Sequence, residues 1–227
     1  MKTGSRGFTL IEIAIVLVII GLLLGGVLKG QELITSARVR NLVSLQDGVK
    51  AAFYGFEDRY RALPGDYAAA DANINCGATP CANGDSNGRI DAPNAAGTHE
   101  ELLVWNHLGA AGFLSGSYTF TDGDAAATDA NSPKNPYSVY MQLVYDNNYG
   151  TGTVSTKHNM KTGGQIPVEI MAEIDRKIDD GNPYSGAFQF SVYAPAGATA
   201  PNAATCINGT AWNIVGGDTN CGAAYLF

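Results

Sequence analysis

From Thr9 to Gly30 the chain carries only two charged side chains, Glu12 and Lys29, in a run that is otherwise almost wholly apolar. About twenty such residues are enough to cross a bilayer as a helix, and this length constrains the fold more than any other feature. Lys2 and Arg6 precede the run, which by the positive-inside rule keeps the head of the chain in the cytoplasm and sends the residues beyond the run outward. Glu12 is the anomaly. A carboxylate inside a membrane helix costs about 3 kcal/mol on insertion scales, so it marks a functional position and calls for a countercharge on another molecule. An ordinary secretory signal explains it poorly, because no A-x-A cleavage site comes after the run.

The segment Gly7-Phe8-Thr9-Leu10-Ile11-Glu12 resembles the leader of type IV pilins and type II secretion pseudopilins. The resemblance implies that a prepilin peptidase cuts between Gly7 and Phe8 and methylates the new terminus at Phe8. It also implies that Glu12 pairs with that terminus on a neighbouring subunit during assembly. Glu12 lies only about 6 Å along a helix from Phe8, which suits such a pairing. Leu63-Pro64-Gly65-Asp66, Trp105-Asn106-His107-Leu108 and Ile178-Asp179-Asp180-Gly181 are similar to segments of larger prepilin-like proteins.

The resemblance implies an α+β, type IV pilin-like fold, with a long N-terminal helix packed on a C-terminal antiparallel sheet with accessory helices. Helical spacing does continue beyond the apolar run, through Leu33, Ala37, Leu42, Leu45, Val49, Phe53, Phe56 and Tyr60, and predicts one helix over 8–60. Pro64 and Gly65 end it. The expected organisation is a cleaved leader at 1–7, a transmembrane and filament-core half-helix at 8–30, a head-packed half-helix at 31–62 and a globular head at 63–227. Gly21, Gly25, Gly26 and Gly30 interrupt the apolar half. Close helix packing and, as the resemblance implies, melting on entry into a filament are both open accounts of them.

Four cysteines, Cys76, Cys81, Cys206 and Cys221, fall in the outward-facing part, where disulfides form. Cys76–Cys81 and Cys206–Cys221 is the favoured pairing, because each pair brackets a loop rich in Gly, Pro, Asn or Ala that makes no core of its own. A zinc site is the rival reading, and the spacings do not suit it. Within Asn83-Gly84-Asp85-Ser86-Asn87-Gly88-Arg89-Ile90-Asp91, the residues Asn83, Asp85, Asn87 and Asp91 fall on positions one, three, five and nine of an EF-hand loop. Asn94 stands where a bidentate Glu belongs, so Glu100 or Glu101 has to supply the missing carboxylate. A structural calcium and a plain turn both remain open, and no cofactor is required.

Thr98 is the expected N-cap of a helix from His99, with Glu101 in capping-box position. Strands are predicted at 137–145 and 188–193, with a weaker candidate at 151–155. Pro167 opens a helix carrying Ile170, Ile174 and Ile178, and Gly181 closes it. Asp175, Asp179 and Asp180 at its end oppose the helix dipole; a solvated acidic helix end is the favoured reading, and partnering by loop amides, Lys177, an arginine or a cation is the alternative.

The three histidines, His99, His107 and His158, lie in unrelated segments, and no nucleophile elbow, Walker or dinucleotide-binding pattern occurs, so an enzyme is not expected. The net charge of −7 becomes −9 without Lys2 and Arg6, which argues against nucleic acid as a partner. With 45% hydrophobic and 15% charged residues, the 227-residue chain is able to bury a core.

The expectation is a structural subunit of a type IV pilus or related filament. Its implied partners are copies of itself, other pilins, a prepilin peptidase, an inner-membrane platform and an assembly ATPase. Its expected location is the bacterial inner membrane, head outward, before assembly and a pilus or pseudopilus afterwards. A pseudopilin or minor pilin with an adhesive or secretion role is the alternative, and a membrane-anchored enzyme or binding protein is a more distant one.

Overall fold

The computed structural model describes residues 9–151 and 154–227. Gly7 and Phe8, the expected cleavage and methylation positions, lie outside the described residues, as does part of the 151–155 candidate strand. The chain divides into two compact units, Met1–Arg40 and Asn41–Phe227.

Helix α1 spans Leu10–Tyr60 without a break at any of the four glycines in its apolar half. Over residues 13–28 the helix is apolar on every side. Its most apolar window has a mean hydropathy of 2.8 with none of it buried, and Leu10, Leu22 and Leu28 are all exposed. A helix apolar all round is stable only within lipid or among other helices. Lys29 and Glu32, 2.7 Å apart, mark where charge resumes.

The second unit is an α+β head. Its remaining elements in chain order are α2 (Ala70–Asn73), α3 (Glu100–Ala110), β1 (Gln142–Asp146), β2 (Lys157–Lys161), α4 (Val168–Ile178), β3 (Phe188–Phe190), α5 (Ala203–Cys206), β4 (Ile207–Asn208), β5 (Ala211–Trp212) and β6 (Ala223–Leu226). The main sheet is antiparallel in the order β1-β2-β6-β3, and β4 and β5 form a separate hairpin.

Val49, Ala52, Phe53 and Phe56 recur at helical spacing on α1 and bury against Val104, Trp105 and Leu108 of α3 and against Leu143 and Met160 of the sheet. Phe53 stacks on Phe227 at 5.1 Å, and Phe56 meets Tyr60 at 4.5 Å. The helix stops where Arg61 takes a positive φ just before Pro64, and proline supplies no donor to continue it.

Several local expectations differ from the structure. The 137–145 strand starts only at Gln142, because Asn135 organises a turn: its Oδ1 accepts from Tyr137 N and Val139 N, and Ser138 takes φ 65°. Likewise β3 ends at Phe190 instead of continuing to 193. Thr98 does not cap α3. The capping position is His99, and Glu101 bonds its Nδ1 at 2.7 Å instead of closing a capping box. The described residues of 151–155 carry no strand. Four strands, β2, β4, β5 and β6, have no counterpart among the expectations.

Cys76 and Cys81 form one disulfide, with Cα atoms 5.2 Å apart, and Cys206 and Cys221 form the other, at 5.7 Å. The second ties α5 to the segment that enters β6, and Cys221 also pairs through its backbone with Ile166.

Phe56 has no exposed surface and sits where α1, α3 and the turn after α1 converge. Phe56→Ala should therefore destabilise the head by about 3–5 kcal/mol, read as a drop in the urea midpoint at unchanged slope. A loss under about 1 kcal/mol would mean that this contact is not the keystone of the core.

Candidate functional site

Glu12 is held locally. Thr9 N and Thr9 Oγ1 both donate to Glu12 Oε2, at 2.7 and 2.8 Å, and Glu12 N donates back to Thr9 Oγ1 at 3.3 Å. This is a reciprocal capping box, in which the carboxylate satisfies an amide that helix geometry leaves without a partner. The T-x-x-E spacing is present in the sequence, but the charge on Glu12 draws the reading toward another molecule and away from this local role. Both bonds from Thr9 fall on the same oxygen, so the cap fixes the rotamer of a carboxylate on an exposed apolar helix.

The second locus joins two of the prepilin-like segments. Gly65 donates its N–H to His107 Nδ1 at 2.9 Å, and His107 Nε2 meets the Ala82 carbonyl at 2.9 Å. Accepting at Nδ1 requires the neutral ring, and burial accordingly pushes the His107 pKa down to about 4. The ring lies parallel to Phe56. At Gly65 φ is +88°, and an added Cβ would stand 2.7 Å from the Glu100 carbonyl, so the turn requires glycine.

Asp66, next in the chain, is almost fully buried and anchors the Asn/Asp-rich loop. Its two carboxylate oxygens accept from Asn87 N and Gly88 N, each at 2.9 Å. Glu100, fully buried at the start of α3, holds the loop from the other side. It accepts from Asp85 N at 3.1 Å, Asp91 N at 3.0 Å and Asn94 Nδ2 at 2.9 Å.

The alternating oxygens expected of an EF-hand are not gathered as one shell. Asn83 Oδ1 accepts from Asp71 N, Asn87 Oδ1 accepts from Arg89 N, and Asn87 Nδ2 donates to Asp91 Oδ2. The carboxylates that do converge are Asp66, Asp85 and Glu100, each offering an oxygen within 4.8 Å of the others. Sequence reasoning misses Asp66. Its signals there are its place after a turn glycine and in the prepilin-like Leu63-Pro64-Gly65-Asp66 segment, and neither ties it to a loop about twenty residues on.

The acidic end of α4 is hydrogen-bonded, with Asp175 buried, Asp179 half-buried and Asp180 exposed. Asp175 Oδ2 accepts from Trp212 Nε1 at 2.6 Å and its Oδ1 from Gly181 N at 3.0 Å. Asp179 accepts from Phe188 N at 2.7 Å, and Asp180 from Asn182 N and Ser185 Oγ. These carboxylates tie α4 to β3 and to the disulfide-closed segment. His158 is half-buried and lies beside Phe53 and Tyr145.

Burial raises the pKa of Asp66 to about 6 and that of Glu100 to about 7, with the charge of Asp85 adding to the first and that of Asp66 to the second. The folded head therefore keeps protons that the unfolded chain has released, and this contribution to stability is lost as pH rises from about 4 to about 7. His107 acts in the opposite sense, because the unfolded chain binds a proton below about pH 6.5 that the folded ring refuses. Glu100→Gln should unmask the histidine. Its urea stability should fall more steeply than that of the parent chain between about pH 6.5 and 4.5, and parallel pH profiles would show that Glu100 does not carry the proton.

Residues 2–28 match the family model described as "Prokaryotic N-terminal methylation motif". No curated protein and no solved structure matched the chain. The matched segment covers the basic head, Glu12 and most of the apolar run, and a leader of this class implies processing by a prepilin peptidase. The chain thus carries the class III leader signal of the type IV pilins and pseudopilins, on an α+β head.

Proposed function

We propose that this chain is a structural subunit of a type IV pilus or a closely related filament, cleaved after Gly7, methylated at Phe8 and polymerised through its N-terminal helix. The observation that carries this reading is the coincidence of the methylation motif at 2–28 with an uninterrupted helix whose apolar residues stay exposed. Residues 8–30 serve as membrane anchor first and filament core later, 31–62 as the head-packed half of the helix and 63–227 as the outward head. Insertion in the inner membrane precedes assembly. The platform, the assembly ATPase and other pilins are its partners, and no catalytic role is assigned.

In assembly, Glu12 accepts the methylated Phe8 ammonium of a neighbour. The bonds from Thr9 use Oε2, which leaves Oε1 as the atom for the incoming cation. An unpaired carboxylate in an apolar surround is costly, so the pair favours the staggered polymer over isolated subunits. Calcium, if the head takes it, fits Asp66, Asp85 and Glu100, where its contribution is charge neutralisation among three crowded oxygens. The second functional reading, a pseudopilin or minor pilin, shares the leader and differs in abundance.

Filaments sheared from cells expressing the chain, read by mass spectrometry, test the proposal. Abundant chain beginning at methylated Phe8 is expected. Processed chain confined to the membrane would favour the pseudopilin or minor role, and an uncut Met1 form would overturn the filament reading. Glu12→Ala should lower incorporation by about tenfold or more while cleavage proceeds, and equal incorporation would reject the pairing. Stripping divalent cations at neutral pH should lower the melting temperature of the head, with Asp85→Asn abolishing that dependence. A transition unmoved by chelation would leave the loop a plain hydrogen-bonded turn.

A further inference from the structure

Among the described residues Lys161 is the one buried lysine, with 1% of its surface exposed. It lies on β2 opposite Gln142, while Asp146 at the far end of β1 lies opposite Lys157. The two side chains therefore share a sheet face with Asn159 between them. Lys161 Nζ is in contact with Asp146 Oδ2 and donates to the Asn148 carbonyl at 3.4 Å. Asn159, fully buried, donates its Nδ2 to Asp146 Oδ1 at 2.9 Å. The β1–β2 connection folds back over the same face: Tyr149 packs on Ala224 and Leu226, Ser191 Oγ donates to Asn148 O at 3.1 Å, and Gly150 N donates to Phe190 O at 2.8 Å. Nucleophile and electrophile are thus held together beneath a segment bonded to the opposite edge of the sheet.

The other lysine–carboxylate contacts differ in one respect that matters chemically. Lys29, Lys134 and Lys177 keep 66%, 36% and 47% of their side chains exposed, so water stabilises each ammonium. At Lys161 burial disfavours the charged form and lowers the pKa below the usual lysine range, with Asp146 opposing that shift. A shift in that direction eases the transfer of a proton from Nζ to the carboxylate, the step that makes the amine and acid of amide synthesis.

We propose that Lys161 Nζ and Asp146 Cγ become joined by an amide bond, closing the β1–β2 hairpin covalently. One proton passes from Nζ to Oδ2, turning the ion pair into amine and acid. The nitrogen lone pair then attacks Cγ, and Oδ1 takes up the negative charge, facing the Asn159 N–H as an oxyanion donor. A second proton moves from nitrogen to Oδ2, the Cγ–Oδ2 bond breaks, and water leaves. One N–H remains on the new amide, with the Asn148 carbonyl as its acceptor. No oxidant, reductant or co-reactant is consumed. Water has a way out, since Asp146 is 29% exposed. Well-oriented intramolecular pairs reach effective concentrations of about 10⁵–10⁸ M, which offsets the unfavourable balance of condensation in water.

The test is the mass of the full chain, purified in detergent, reduced and denatured. The proposal expects a chain one water lighter than its processed sequence, and a tryptic digest in which Lys161 is uncut and branched to the peptide carrying Asp146. In Lys161→Arg the missing water should return. Asp146→Asn, close in shape, should lose ammonia instead, because the same attack expels the amide nitrogen. A parent chain of full mass with a normal cut after Lys161 would reduce the site to a buried ion pair. Water loss that persists in Lys161→Arg would assign it to an aspartate such as Asp122 cyclising next to Gly123. Either result overturns the proposal, and the parent measurement is decisive whether or not the variants fold.

Discussion

Buried carboxylates bonded to backbone amides hold this head together. Irregular chain has amide groups that neither helix nor sheet satisfies, and leaving them unpaired in the interior costs about 1–3 kcal/mol each. Buried Asp66, Glu100 and Asp175 and half-buried Asp179 all answer such amides. Together they fasten loops to α3 and to the end of α4. Only 15% of the chain is charged, and much of the acidic share inside the head goes to this architecture.

The same logic governs α1 in a different solvent. Over Leu10–Leu28 the side chains are suited to hydrocarbon on all sides, whereas over Val49–Phe56 they form a single stripe that buries against the head. No break in hydrogen bonding marks the change, because helix geometry is indifferent to its surroundings. Thr9 and Glu12 close the end of the helix with side chains, so the amides of these two residues do not depend on water. A polar cap of this kind suits a helix that must enter an apolar environment end first.

The long helix and its stop at Pro64, the helix after Pro167 and the leader are legible in the sequence because each rests on local chemistry: apolar period, missing donor, fixed spacing. β2 is not. Its Lys-His-Asn-Met-Lys sequence lacks the branched and aromatic residues that announce a strand, and on its polar face Asn159 and Lys161 are buried. β6 escapes for a related reason, since Ala223 and Ala224 have weak strand preference and are placed by their partners. At the loop site, the sequence shows oxygens at regular spacing but not that backbone amides occupy them. Nor does it show that Asp66 arrives from a turn far back in the chain.

The strand order carries a consequence for biogenesis. β2 and β3 have no hydrogen-bonded contact with each other in the sheet, and β6, which comes after both in the chain, lies between them. Until Ala223–Leu226 has emerged, the sheet is a hairpin and a stray edge, with Phe188 and Met160 lacking the Tyr225 row that joins them. Under the proposed function, which places the head outward, such a sheet does not fold progressively during export. It closes as a unit once β6 is through, and until then its exposed strand edges have to be kept from finding one another.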